Sequence, residues 1–60
     1  MKTHDTVILK TNIDNIKKGT KGTIVFDYKA SGLFEVEFFD INHNTINVVR
    51  VFKNDLLKIK

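Results

Sequence analysis

Glu35 and Glu37 are the residues best spaced for chemistry in this chain. Two carboxylates two positions apart on an extended strand share one face, with side chains roughly 7 Å from each other. Paired carboxylates at such a spacing can do acid/base work. That work also needs a pocket, a nucleophile or a metal-ligand set, and none stands near them in the sequence. The pair therefore reads as a solvated strand face, or as an acidic stripe against a partner. His4 and His43 are the only histidines, and there is no cysteine. Two imidazoles alone, one near a terminus and one in a turn, make a poor metal site. Ser31, the only serine, sits in a hairpin turn beside Gly32, so a serine–histidine–aspartate arrangement has no support. Neither a GxxxxGKS/T loop nor a GxGxxG turn is present to cradle phosphate. The expectation is a protein with no catalytic residues, no metal and no cofactor.

A different chemistry is written in Ile16-Lys17-Lys18-Gly19-Thr20-Lys21-Gly22-Thr23-Ile24. Glycines let a backbone approach another surface closely, and lysines neutralise anionic groups. Lys17, Lys18 and Lys21 form the one compact basic cluster, suited to steering an acidic protein partner or, alternatively, to phosphate. The chain carries a net charge of +3 from nine lysines and one arginine against seven carboxylates. That balance serves solubility, and it lacks the arginines that read base edges in bidentate geometry. Single-stranded nucleic-acid binding needs exposed aromatic platforms in a basic groove. Apart from Tyr28 the aromatics are five phenylalanines, three of which (Phe26, Phe34, Phe38) fall at inward parity.

Strands must position these residues. Asp5–Lys10 alternates Val7 and Leu9 against Thr6, Ile8 and Lys10, a period of two that marks a strand. The loop Thr11–Lys18 is polar except for Ile13 and Ile16, which should tuck it onto the body of the domain, with room for a single helical turn between them. Lys21–Lys29 is a second strand, with Ile24, Phe26 and Tyr28 on one face and Val25, Asp27 and Lys29 on the other. Gly22 marks a bulge or a close backbone approach. The Ala30-Ser31-Gly32 turn leads to a third strand, Leu33–Asp40, with Phe34, Val36 and Phe38 facing inward. Ile41–Asn44 is a turn rich in residues that tolerate left-handed backbone. Thr45–Phe52 is a fourth strand whose parity breaks: Ile46 and Val48 share one face, Val49 and Val51 the other, so both faces are covered or a bulge intervenes. Lys53–Leu57 reads as a 3₁₀ turn capped by Asn54 or Asp55, and Lys58–Lys60 as a last strand.

The order strand, long loop, three-stranded meander, 3₁₀ turn and final strand predicts an all-β, SH3-like, five-stranded, partly open barrel formed by residues 1–60 as a single domain. Leu33, Phe39, Val25 and either Val49 or Val51 lie on the parity opposite the core and mark a partner surface, with Arg50 beside them as an anchor. A chain this short buries only about 60% of the surface its unfolded form exposes, so a partner or a second copy would supply needed burial. With no proline to protect an edge, an edge strand is left open to homodimerisation by pairing with a second copy, without a choice of edge. Absence of cysteine fits a reducing cytoplasm. No signal-peptide h-region and no stretch approaching the roughly 20 apolar residues of a membrane span is present.

Taken together, DTVILK, IKKGTKGTI, FEVEFFD, TINVVRV and NDLLKI resemble a bacterial family of small stand-alone SH3-like proteins of unknown function. The glycine–lysine loop also resembles the KOW-type signature of ribosomal and transcription proteins. The passage from glycine-rich turn to strand is more loosely similar to the barrel of the nitrile hydratase β subunit. The family resemblance implies no catalytic residues and a role as neutralising partner of a toxin-like protein. Asn42, Asn44, Asn47 and the lysine-rich surface depart from the family pattern. The leading expectation is a non-catalytic, cytoplasmic protein-binding module of antitoxin or immunity type. It would dock through Leu33, Phe39 and Arg50, with Lys17, Lys18 and Lys21 steering an acidic partner. The alternatives are a KOW-like nucleic-acid-binding module and an accessory subunit or activator of an enzyme.

Overall fold

A computed structural model describes residues 1–30 and 32–59. Its strands are β1 (Thr6–Leu9), β2 (Lys21–Asp27), β3 (Leu33–Phe39), β4 (Thr45–Phe52) and β5 (Leu56–Lys58), with a 3₁₀ turn at Lys53–Asp55. All five pair antiparallel in one sheet of order β4–β3–β2–β1–β5. The expected all-β architecture with one 3₁₀ turn is therefore what the chain adopts. The sheet is open, because β4 and β5 are its two ends.

Alternation creates the core. Val7 and Leu9, Ile24, Phe34, Val36 and Phe38, Val51 and Leu56 all turn inward and are buried. Ile16 joins them from the long loop, with Ile13 packed partly against the same cluster. No helical turn forms there. Ile13 and Ile16 instead exchange backbone hydrogen bonds of 2.9 and 2.7 Å around a two-residue turn, and Asp14 takes the positive φ (49°) that the turn requires. Asparagine and aspartate accept that backbone more readily than other side chains.

Gly22 is a close approach rather than a bulge. A Cβ there would stand 2.8 Å from both the Phe38 ring and Val36 Cγ1. The bulge comes three residues later, where the β2–β3 register shifts between Ile24 and Phe26. One extra residue reverses the parity beyond it. Phe26, expected inward, is consequently 52% exposed, and Val25 lies exposed at the bulge.

A second shift lies between Phe38 and Phe39 on β3, where Asn47 and Thr45 are their partners and Ile46 is the extra residue. It lies at the start of β4, ahead of both apolar pairs. From Asn47 to Phe52 the register runs unbroken, so the switch of face that a midway bulge would give does not occur and the strand carries apolar residues on both faces. Val51 is buried and Val49 packs against the core, so both belong to the inner side, while Ile46 and Val48 are exposed. The last strand starts two residues earlier than its sequence suggested, at Leu56, whose side chain is buried. Neither Asn54 nor Asp55 caps the 3₁₀ turn; Phe52 occupies the N-cap position with no side-chain hydrogen bond. Asn54 and Asp55 lie inside the turn rather than before it, so neither is placed to cap its first N–H groups.

Candidate partner-binding groove

The loop between β1 and β2 is built to hold two lysines beside the sheet. Burial of Ile16 anchors its middle. Asn12 Oδ1 accepts the Lys18 backbone N–H at 2.8 Å, and Lys17 O accepts both the Thr20 hydroxyl (2.6 Å) and the Thr20 N–H (3.1 Å). Gly19, at φ +94°, turns the chain so that its own N–H reaches Leu9 O at 2.8 Å. A side chain would be strained at that φ.

Across the sheet, the β3–β4 turn is held by Asp40. One carboxylate oxygen, Oδ1, accepts the backbone N–H of Asn42 at 2.8 Å and of Asn44 at 2.9 Å. These bonds, the Asn44 one foremost, hold its carboxyl below the ordinary aspartate range. His43 takes the left-handed backbone (φ 66°) that closes the turn, and Ile41 is left 92% exposed.

Between loop and turn lies an open groove of about 840 Å³. Lys18 and Lys21 line it from one side, Phe39, Ile41 and Ile46 from the other, with Thr6, Thr20 and Thr23 among the residues between. It is apolar on one wall and cationic on the other. The single carboxylate in it, Asp40, is engaged by its own turn.

Three of the expected contact residues thus converge: Lys18, Lys21 and Phe39. Lys17 is exposed but does not line the groove. Leu33 and Arg50 stand elsewhere. Leu33 is at the opposite end of β3 from Phe39, six residues away and hence about 20 Å along the strand, where it faces Phe52. Arg50 is paired in register with Glu35, and its guanidinium carbon lies 5.9 Å from the centre of the Tyr28 ring. Tyr28 donates its hydroxyl to Glu35 Oε2 at 3.1 Å and meets Phe26 edge-on, with ring centres 4.8 Å apart. Desolvation, then the bond to Glu35, pushes the Tyr28 phenol up from its ordinary value. The surface expected to be one patch is two.

Ile41 and Ile46 are the groove residues that sequence reasoning missed. Ile41 stands in an otherwise polar turn, and Ile46 belongs to the mixed-parity run of β4. An isoleucine inside an Asn/His turn was the available signal.

The other chemistry-bearing residues do not assemble. Glu37 Oε2 accepts the Thr45 hydroxyl at 2.6 Å while Glu35 takes Tyr28, so each carboxylate serves a different neighbour. His4 bonds through its backbone to Ile24 O and is exposed. Ser31 lies outside the described residues. Among the described residues no group of three or more His, Cys, Asp or Glu side chains is placed to hold a metal ion, and no helix is long and apolar enough to cross a membrane.

The fold and groove define a small all-β domain that presents an apolar wall opposite a lysine rim. The chain belongs to the family described as domain of unknown function DUF4926, which matches residues 3–58. No curated protein and no solved structure matches it, so the KOW-type and hydratase resemblances rest on the residues alone.

Proposed function

We propose that the chain is a non-catalytic protein-binding module, and that the groove between the Lys18–Thr23 segment and the β3–β4 turn receives its partner. The observation that carries this reading is the convergence of Lys18 and Lys21 with Phe39, Ile41 and Ile46 around one open groove. Exposed apolar side chains gathered at a groove, with charges at its rim, are the anatomy of an interface. The partner segment that fits is an apolar side chain flanked by acidic residues. The apolar group seats against Phe39 and Ile41, and the carboxylates meet the two lysines, which also steer the encounter. A cytoplasmic antitoxin or immunity role, in which this small domain covers a toxin-like protein, is the specific form we propose; an enzyme's accessory subunit would use the same surface.

The test is a pull-down from native lysate with the tagged chain, with and without nuclease, alongside the triple variant Lys18→Glu, Lys21→Glu, Ile41→Asp. A stoichiometric protein that survives nuclease and is lost from the variant is the expected result. A protein held equally by the variant overturns the assignment to the groove. Nucleic acid alone, removed by nuclease, would replace the protein-binding reading with the KOW-like one.

A further inference from the structure

The two ends of the sheet are unequal. Strand β5 has three residues and ends on Lys58, whose ammonium lies 3.7 Å from Asp5 Oδ2. A short strand ending in lysine is a protected edge. Strand β4 has eight residues, Thr45–Phe52, with neither proline nor lysine among them. Among the described residues nothing pairs with its outer side.

The register says which backbone groups that side offers. Lys53 N–H donates to Gly32 O at 2.8 Å, next to the Leu33–Phe52 pair. Antiparallel pairs alternate between bonded and non-bonded, so Val51 and Val49 bond to β3 while Phe52, Arg50 and Val48 direct their N–H and C=O groups away from it. The side chains of these three lie on the outer face, with Val48 44% and Phe52 52% exposed. The Val48 N–H is occupied locally, by Asn47 Oδ1 at 2.8 Å. That contact is exposed and between adjacent residues, so an incoming carbonyl can replace it.

We propose that β4 pairs antiparallel with β4 of a second copy, Val48 opposite Arg50 and Arg50 opposite Val48, joining two open sheets into one. The register follows by comparing the choices that match outward groups with outward groups. Arg50 opposite Arg50 sets like charges face to face, which destabilises a pair. Arg50 opposite Phe52 would bring Val48 against Asn54, which lies beyond the strand in the 3₁₀ turn. Val48 opposite itself carries Phe52 onto Asn44, which lies before the strand begins. Val48 opposite Arg50 keeps the pairs within Ile46–Phe52 and gathers Ile46, Val48 and Phe52 from both copies. An edge-to-edge contact of this length falls in the small interface class, under about 1,200 Å², so the dimer is concentration-dependent.

The experiment is sedimentation equilibrium of the full chain over a concentration series, with amide hydrogen exchange at both ends of the series. At high concentration the mass should approach twice that of the 6.9 kDa chain and return to one chain on dilution. Exchange at the Arg50 and Phe52 amides should slow as the dimer forms, while Val49 and Val51 stay protected throughout. Val48→Lys, an exposed substitution that sets a lysine opposite the second copy's Arg50, should hold the mass at one chain. A single-chain mass at every concentration overturns the proposal. So does a dimer that Val48→Lys leaves intact, or one that forms without slowing Arg50 and Phe52.

Discussion

Replacing Gly22 with alanine probes the contact on which core and groove both depend. The glycine is buried in β2, and its backbone lines the groove while its missing side chain makes room for the core. An added Cβ would meet Phe38 Cδ1 and Val36 Cγ1 at 2.8 Å and the Glu37 carbonyl oxygen at 3.0 Å. Carbon atoms pack comfortably at about 3.5–4.0 Å, so the ring and the valine must each withdraw by roughly 0.7–1.2 Å. Both are fully buried, and the third contact is backbone of the paired strand, so little can give. Overpacking of this kind costs about 1–3 kcal/mol. In a domain of this size each kcal/mol lowers Tm by about 4–8 °C. A loss near 2 kcal/mol, or roughly 8–16 °C, is the expectation from thermal unfolding followed by circular dichroism. The same substitution in a Val36→Ala background should cost less, because one of the two clashing side chains is gone. A Gly22→Ala protein within about 0.5 kcal/mol of the parent, the range of ordinary surface changes, would refute the steric argument.

Ile16→Ala removes the loop's only fully buried side chain and should cost about 2–5 kcal/mol, with amide exchange accelerating first across Asn12–Thr20. Equal acceleration in every strand, with no earlier loop opening, would argue against Ile16 as a loop anchor. Asp5 and Asp40 both have carboxyls held below the ordinary range, each chiefly by backbone N–H donors, Lys2 for Asp5 and Asn44 for Asp40. A carboxyl depressed on folding stabilises above its unfolded pKa, about 3.9, and that stability is lost as pH falls through the lower folded value. Acid unfolding should therefore be less steep in Asp40→Asn, and an unchanged profile would contradict the turn's dependence on that carboxylate. Tyr28 is the only tyrosine, so its phenol can be titrated by absorbance alone. Its raised value should fall in Glu35→Gln, and the stability it contributes should be present below the unfolded phenol value and lost as pH rises through the folded one. A titration that Glu35→Gln leaves unmoved would show that the hydrogen bond contributes nothing to the shift.

The order of elements and the β2–β3 hairpin were legible because alternation runs cleanly through Leu33–Phe39 and glycines bracket the preceding strand. The failures share a cause. Ile24, Phe26 and Tyr28 alternate without a break in residue type, so nothing local announces the bulge that turns Phe26 outward. A bulge is a property of two strands, and only the register of β2 against β3 reveals it. The mixed parity of β4 comes from apolar residues on both faces of one unbroken alternation, not from its bulge, and parity alone does not say that Val49 and Val51 form the core side. The groove was half legible. Charge marks Lys18 and Lys21 and parity marks Phe39, and the antiparallel meander brings them together. Arg50 and Leu33 share a face with Phe39, yet sharing a face says nothing of distance along a strand.

The most direct test of the groove as the docking site is a two-dimensional amide NMR spectrum of the isotope-labelled chain, with and without the protein recovered in the pull-down. Shifts or broadening should concentrate at Lys18–Thr23 and Phe39–Ile46, with Tyr28 and Glu35 unmoved. Changes confined to the Phe26–Tyr28–Arg50 cluster, with the groove silent, would contradict docking there.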